Sequence, residues 1–240
     1  MDKPPIRLLV HGAAGRMGRA VLRLAQEDAR FVVVAAVSRS ALFEPGQTPP
    51  VFGPGQLAEC PAFDLAIDFS LAPAFDALLD ECVVRGVALV SGTTGLDAGQ
   101  LARLDQAAQQ IPLLWASNFS LGVVVLEDLV RRASAALWQW QVTITETHHV
   151  HKLDAPSGTA LTLAQAAGEA LGAPPSIHSV REGEVIGEHV VRFEGLGETI
   201  ELKHSAGDRD IFARGALEAA VHLHGRPAGR WLLSRLLLPD

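Results

Sequence analysis

Ile6-Arg7-Leu8-Leu9-Val10-His11-Gly12-Ala13-Ala14-Gly15-Arg16-Met17-Gly18-Arg19 decides the fold. Ile6–Val10 is a short, β-rich apolar run, and from Arg16 to Gln26 the residues Met17, Val21, Leu24 and Ala25 recur on one helical face. The stretch therefore predicts strand, turn and helix. Within the turn the spacing is Gly12-x-x-Gly15-x-x-Gly18, a variant of the dinucleotide fingerprint. Glycine there permits a tight turn, close approach of backbone to a pyrophosphate, and close packing of helix on sheet, while the helix start supplies amide donors. A Gly-rich turn that serves packing alone is the alternative. Placement in the first strand–helix unit favours the nucleotide.

Moving outward, Phe31–Val37 is a second strand, almost continuously apolar, as a parallel strand covered on both faces should be. Glu44–Gly55, with four prolines and three glycines, is expected as a loop. Further strands are predicted at Asp64–Phe69, Val87–Ser91 and Pro112–Ser117, alternating with helices at Pro73–Arg85 and Asp97–Gln109. That rhythm predicts a doubly wound parallel sheet. After Asn118 the pattern changes, and a second domain is expected to start there. It comprises a long helix over Leu121–Leu137, a half-exposed antiparallel strand over Gln141–Thr147, a His-rich loop, and a helix from Thr159 to about Leu171. Strand candidates at Val190–Phe193 and Thr199–Lys203 continue it, and a helix over Ala213–His224 closes the pattern. The fold class is thus α/β, a Rossmann-type sheet followed by an α+β mixed-sheet domain.

The 240 residues suffice for one large domain or two modest ones, and 48% hydrophobic against 20% charged residues excludes a disordered chain. A net charge of −7 with no basic run excludes nucleic acid as an expected partner. No apolar stretch reaches the roughly 18–20 residues of a membrane span, and Met1-Asp2-Lys3-Pro4-Pro5 carries no leader pattern. Cys60 and Cys82 lie in different predicted elements without metal-ligand spacing, so a reducing cytoplasm is expected. Only three of the 20 basic residues are lysines, Lys3, Lys152 and Lys203, which draws attention to each.

Dinucleotide enzymes that prefer NAD carry an acid at the end of the second strand, about 20 residues past the glycines. Here that place reads Val37-Ser38-Arg39. An arginine without a neighbouring carboxylate suits a 2′-phosphate and favours NADPH; an ordinary solvated arginine is the alternative. Gly92-Thr93-Thr94-Gly95 and Ala116-Ser117-Asn118-Phe119 fall at the carboxyl ends of later strands, where ligands collect, although such turns also occur simply as turns.

The densest polar constellation is Glu146-Thr147-His148-His149-Val150-His151-Lys152-Leu153-Asp154-Ala155-Pro156-Ser157-Gly158-Thr159-Ala160. Zinc fits it poorly, since no cysteine is nearby and no second ligand cluster suggests itself, and no metal is expected. Surface histidines in a structural loop are the plain alternative. Ser157-Gly158-Thr159 opens a helix, so its amides and the Thr159 hydroxyl form an anion pocket fit for a carboxylate. His149, with His151 as a second candidate, reaches the same or another carboxylate, leaving His148 and Lys152 to handle a proton. This predicts reduction of a small di-acid.

These residues resemble the 4-hydroxy-tetrahydrodipicolinate reductase (dihydrodipicolinate reductase) family. The likeness runs through Gly12-Ala-Ala-Gly-Arg-Met-Gly18, Ile67-Asp-Phe-Ser70, Gly92-Thr-Thr-Gly95, Asn118-Phe-Ser120, His148-His-Val-His-Lys152, Asp154-Ala-Pro-Ser-Gly-Thr159, and Arg209 through Gly215. It implies an NADPH- or NADH-dependent oxidoreductase of diaminopimelate and lysine biosynthesis. It implies a dinucleotide-binding domain over 1–118 with 213–240 packing back on it, and a substrate-binding domain over 119–212 whose sheet builds a homotetramer. His148 and Lys152 would be the acid–base residues, and His149, Gly158 and Thr159 would hold the dicarboxylate substrate. The cofactor would lie on Gly12, Ala13, Ala14, Gly15, Arg16 and Met17, near Arg39, on Gly92, Thr93 and Thr94, and along Ala116, Ser117, Asn118 and Phe119. Ala14 in place of a middle glycine, Ser38 in place of an acid, and the Pro-rich Glu44–Gly55 loop depart from the pattern and bear on cofactor preference. Another two-domain oxidoreductase acting on one carboxylate, of homoserine-dehydrogenase type, has no need of the His148–Lys152 cluster. A nucleotide sensor without turnover would be indifferent to it.

Overall fold

The computed structural model describes residues 4–39 and 49–238. The chain opens with β1 (Ile6–His11), α1 (Arg16–Gln26) and β2 (Phe31–Val37). It continues through β3 (Val51–Phe52), a 3-10 helix over Pro54–Glu59, β4 (Leu65–Asp68), α2 (Ala72–Arg85), β5 (Ala88–Ser91), α3 (Ala98–Ala107) and β6 (Pro112–Trp115). There follow α4 (Leu121–Ala136), β7 (Gln141–His148), α5 (Gly158–Leu171), β8 (Ser176–Arg181), β9 (Gly187–Glu194), β10 (Thr199–Ala206), α6 (Asp210–Leu223), β11 (Gly229–Trp231) and α7 (Leu233–Leu237). Two compact units result, Met1–Phe119 with Phe212–Asp240, and Ser120–Ile211. Among the described residues no helix is long and apolar enough to cross a membrane.

In the first unit seven strands run in the order β11-β6-β5-β4-β1-β2-β3, every pairing parallel. The Rossmann-type sheet expected from the alternating pattern is present. Leu8, Leu9, Val10, Leu65, Ile67 and Leu89 are fully buried, each worth roughly 1.5–3 kcal/mol of apolar transfer. That explains why these strands are apolar at successive positions rather than alternate ones. Helices covering the sheet carry local start and stop signals. Asp97 caps α3 by accepting from the Gln100 amide at 2.8 Å, and Gly86, in the left-handed region, ends α2. Chain order switches sides between β1 and β4, which puts the glycine turn after β1 at the switch point of the sheet.

The turn depends on missing side chains. Gly12 has φ +76°, and a Cβ there would stand 2.5 Å from the Phe69 carbonyl oxygen. At Gly18 a Cβ would meet the Gly12 oxygen at 2.3 Å and the Ala13 Cα at 2.7 Å, so only glycine lets α1 lie this close to the end of β1.

The loop expected over Glu44–Gly55 lies in residues 44–48 outside the described residues, as do Met1–Lys3. Its remainder is more ordered than its prolines suggest: Val51–Phe52 pairs with β2, and Pro54 starts the 3-10 helix in the position where its missing N–H costs nothing. Cys60 ends that helix and Cys82 lies in α2, both buried free thiols; burial pushes Cys60 up to about 11.

The second unit holds a four-stranded mixed sheet, β10-β9-β7-β8. β7 alternates as expected, but its neighbours differ: it pairs antiparallel with β9 and parallel with β8, because α5 is a crossover that brings the chain back in the same direction. Val142, Ile144, Val191 and Phe193 pack with Leu126 and Val130 of α4 and Leu163, Ala164 and Ala167 of α5. On this helix-covered face, Glu146 and His148 continue the buried positions of β7, and Gly187 and His189 those of β9.

Gly18→Ala is expected to lower stability by about 1–3 kcal/mol through overpacking, seen as a fall of several degrees in the thermal midpoint. An unchanged midpoint would show that α1 is free to move away from β1.

Candidate active site

In the first unit the residues expected to hold a dinucleotide lie in the turns that follow β1, β2, β5 and β6. No side chain caps α1, its first turn carries no acid, and its N-cap is Gly15, so the first-turn amides face outward as anion donors. Together with the space kept at Gly12, this fits a pyrophosphate. Ala14 is half-buried, its carbonyl accepting from Arg19 Nε at 3.0 Å. Arg16 and Arg39 are exposed, and Ser38 donates its amide to the Phe52 carbonyl. Ser117 is exposed, whereas the Phe119 ring is buried edge-on to Phe69.

Beneath these turns sits Asp68, a fully buried carboxylate missed as a functional candidate. It accepts from His11 Nδ1 at 2.9 Å, the Ser70 amide at 3.0 Å, Ser91 Oγ at 2.9 Å and Thr93 Oγ1 at 2.7 Å. Burial pushes its proton affinity up, but these donors outweigh burial and hold it below the ordinary carboxylate range. Trp115 Nε1 donates to the Thr93 carbonyl at 2.8 Å, so Thr93 is fixed at both ends while Thr94 is exposed. The available signal was an acid closing the otherwise apolar run Leu65-Ala66-Ile67.

In the second unit the His/Lys cluster lies at the end of β7 and in the turn before α5. His148 is buried, with Nδ1 bonded to the Glu146 carboxylate. Glu146 is fully buried and also accepts from Arg181 Nη2 at 2.9 Å and the Ser157 amide at 3.3 Å. Burial would raise Glu146, but hydrogen bonds from Arg181, Ser179 and His148 hold it at about 2. An ionised carboxylate only accepts, so Nδ1 carries a proton and the Nε2 lone pair of His148 is left free. Gly187 leaves room for it, since a Cβ there would stand 3.1 Å from Nε2. Burial lowers the affinity of His148 for a second proton, with Glu146 opposing.

Lys152, partly exposed, donates from Nζ to Asp154 Oδ1 at 2.8 Å. His149 has a buried Nδ1 without a hydrogen-bond partner, and its Nε2 lies 3.5 Å from an Arg209 nitrogen; His151 is exposed. Gly158 and Thr159 form the first turn of α5, whose N-cap Ser157 accepts from the Ala160 amide at 3.2 Å. Ser157 Oγ also pairs with His189 Nε2 at 3.1 Å, and Ser120, the N-cap of α4, pairs with His204 Nε2 at 3.2 Å. Among the described residues no group of three or more His, Cys, Asp or Glu side chains could hold a metal ion. Glu146 was legible as an acid at a core-parity position of an alternating strand. Arg181, on an edge strand 35 residues away, carried no such signal.

A parallel sheet with a glycine turn at its switch point is the architecture of dinucleotide-binding enzymes, and here a mixed-sheet unit bearing the His/Lys cluster follows it. The chain belongs to the dihydrodipicolinate reductase family: the family's N-terminal pattern matches residues 6–119 and its C-terminal pattern residues 122–237. Proteins named 4-hydroxy-tetrahydrodipicolinate reductase are similar over full length. The one from Xanthomonas campestris pv. campestris (strain B100) is 56% identical over 99% of this chain and 100% of its own. That from Stenotrophomonas maltophilia (strain R551-3) is 54% identical at the same coverage. A solved structure of dipicolinate-bound dihydrodipicolinate reductase from Paenisporosarcina sp. TG-14 shares the fold, with a TM-score of 0.84 at 24% identity over 96% of this chain and 99% of that one.

His189 is buried and, through desolvation reinforced by His148 and His204, has its proton affinity lowered to about 4. The unfolded chain takes up that proton near 6.5 and the folded chain does not, so stability rises with pH between about 4 and 6.5 and is lost on acidification through that window. The loss attributable to His189 is on the order of 3 kcal/mol. His189→Asn should flatten the slope of thermal midpoint against pH there, and an equally steep slope in the variant would contradict this assignment.

Proposed function

We propose that the chain catalyses the NADPH- or NADH-dependent reduction of 4-hydroxy-tetrahydrodipicolinate to tetrahydrodipicolinate, a step of diaminopimelate and lysine biosynthesis. The observation that carries the proposal is the His148–Lys152 segment running directly into the N-terminus of α5, so that proton-handling groups and an anion-binding helix start occupy one stretch of ten or so residues. A reduced nicotinamide supplies hydride when bound; the 4-hydroxyl leaves as water, and one proton completes the product.

The amides of Gly158 and Thr159 and the His149 imidazole bind the substrate carboxylates. Lys152 serves as the proton donor. Its ammonium attracts a dicarboxylate and releases a proton, whereas arginine would attract without releasing. His148 Nε2, made the free nitrogen by Glu146 at Nδ1, passes a proton to or from the same locus. Gly12 through Met17 hold the pyrophosphate. Gly92, Thr93, Thr94 and Ala116 through Phe119 line the path of the nicotinamide half. Arg39, exposed and with no acid at positions 37–39, pairs with a 2′-phosphate, so NADPH is accepted alongside NADH. The protein works in the cytoplasm as a homotetramer built on the second sheet. Supporting that assembly, the sheet face opposite α4 and α5 carries β-branched Thr143, Thr145, Thr147, Val180 and Val190, none of them buried.

Substrate made in place by dihydrodipicolinate synthase from pyruvate and aspartate semialdehyde should drive oxidation of NADPH, followed by loss of absorbance. Cofactor binding without synthase-dependent oxidation would discard the reductase and favour another oxidoreductase or a sensor. In Lys152→Ala turnover should fall by at least about 100-fold with NADPH affinity nearly intact, and full activity would remove Lys152 from proton transfer. Arg39→Ala should weaken NADPH about tenfold while leaving NADH nearly unchanged; equal effects would show that Arg39 does not read the phosphate.

A further inference from the structure

We propose that Glu146 and Arg181 are positioning residues that set the tautomer of His148 and hold the Lys152 turn in register with it. The inference rests on the assignment of proton handling to His148 and Lys152. Glu146 Oε2 holds His148 Nδ1, and Oε1 takes Arg181 Nη2 at 2.9 Å. The same Nη2 donates to the Asp154 carbonyl at 2.5 Å, and Arg181 Nε to the Lys152 carbonyl at 3.3 Å. Nη1 is anchored on the Val180 carbonyl at 2.7 Å. One planar guanidinium thus fastens the ring of one proton-handling residue, through a carboxylate, and the backbone of the other, through two carbonyls. The register of the sheet makes this possible, because Arg181 lies directly opposite His148 across the β7–β8 pair.

A buried ion pair is weak evidence of stabilisation, since apolar replacements often serve stability as well or better. What a carboxylate does here that an apolar group cannot is refuse to donate. Glu146 forces the proton onto Nδ1 and leaves the Nε2 lone pair toward the space kept by Gly187. The charged and titratable groups facing His148 are Glu146 on its own strand, Arg181 on β8, His189 on β9 with its ring centroid 5.2 Å away, and Lys152 in the following turn. Glu146 is the sole anion of that set, so its charge alone favours the imidazolium.

Glu146→Gln is the sharp variant. Glutamine offers one oxygen and one NH2 in the same shape. Arg181 can only donate and claims the oxygen, which turns the NH2 toward His148 and makes Nδ1 the acceptor. The proton moves to Nε2, the wrong tautomer for accepting one there. In protein labelled with 15N-histidine, the His148 nitrogen shifts should report Nδ1–H in the parent and Nε2–H in Glu146→Gln. kcat should fall about 100-fold, the acid limb of the kcat profile should move to lower pH, and binding of pyridine-2,6-dicarboxylate should change less than threefold. Arg181→Lys keeps the charge but cannot span three acceptors, so it should retain the Nδ1–H tautomer and lose about tenfold in kcat. An unchanged tautomer and an unmoved acid limb in folded Glu146→Gln would overturn the proposal. If that variant does not fold, full kcat in Arg181→Lys would overturn it instead. The tautomer is read without turnover, so this failure is distinct from that of the function proposed above, which Lys152→Ala tests.

Discussion

A carboxylate removed from water keeps its charge only if its lone pairs are answered, and at Asp68 that condition gathers the carboxyl ends of three strands. His11 ends β1, Ser70 follows β4, Ser91 ends β5 and Thr93 lies in the turn after it. Each carboxylate oxygen has two of these donors, Oδ1 from His11 and Ser70 and Oδ2 from Ser91 and Thr93, so drift of any one strand end costs the buried charge a hydrogen bond, about 1–3 kcal/mol. Around this point the Gly12 turn, with a Cβ-sized approach to the Phe69 carbonyl, and the Gly92 turn, whose missing side chain makes room for the Phe69 ring, are held in fixed relation. Rigid glycine turns at a switch point favour nucleotide affinity, because a loop already in its binding shape loses less entropy on ligation.

The second unit solves the same problem differently. Glu146 occupies a core position near the end of a strand, and the adjacent parallel strand supplies a full cation, Arg181, beside the Ser179 hydroxyl. Around it the helix starts are tied to the sheet by histidines. Ser157 and Ser120 each accept from their own helix and pair with His189 or His204. These imidazoles stay neutral because burial opposes their charge. Neutral caps leave the positive end of the α5 dipole uncancelled, as the anion site proposed at Gly158 and Thr159 requires.

Much of this was legible in sequence, for reasons that differ by element. The strands β1, β2, β4 and β5 announce themselves as apolar runs between turn residues. The chemistry of 148–159 is contiguous, so it needed no tertiary knowledge to be seen as one cluster. What escaped depends on pairing that no local pattern encodes. β8, Ser-Ile-His-Ser-Val-Arg, is an edge strand exposed at most positions and reads as loop; β3 and β11, at two and three residues, exist only because a longer parallel neighbour offers its free edge. Missing β8 meant missing Arg181, and without Arg181 a core-parity glutamate has no partner and looks merely polar. The antiparallel expectation for β7 failed on its β8 side for the same reason, since α5 between two strands is a crossover that becomes visible only once the second strand is recognised.

The division between lysine and arginine follows from the same electrostatics. In a chain with three lysines among twenty basic residues, the fixed cation beside Glu146 is an arginine, whose forked donors reach a carboxylate and two carbonyls at once. Lys152 is held by a different kind of bond. Its partner Asp154 is well exposed, and an ion pair in that setting is worth at most about 1 kcal/mol. A pair that weak exchanges readily for an incoming carboxylate, while the backbone beneath it stays clamped by Arg181. The ammonium can therefore move at its tip and not at its root, as the proton-donor role proposed for Lys152 requires.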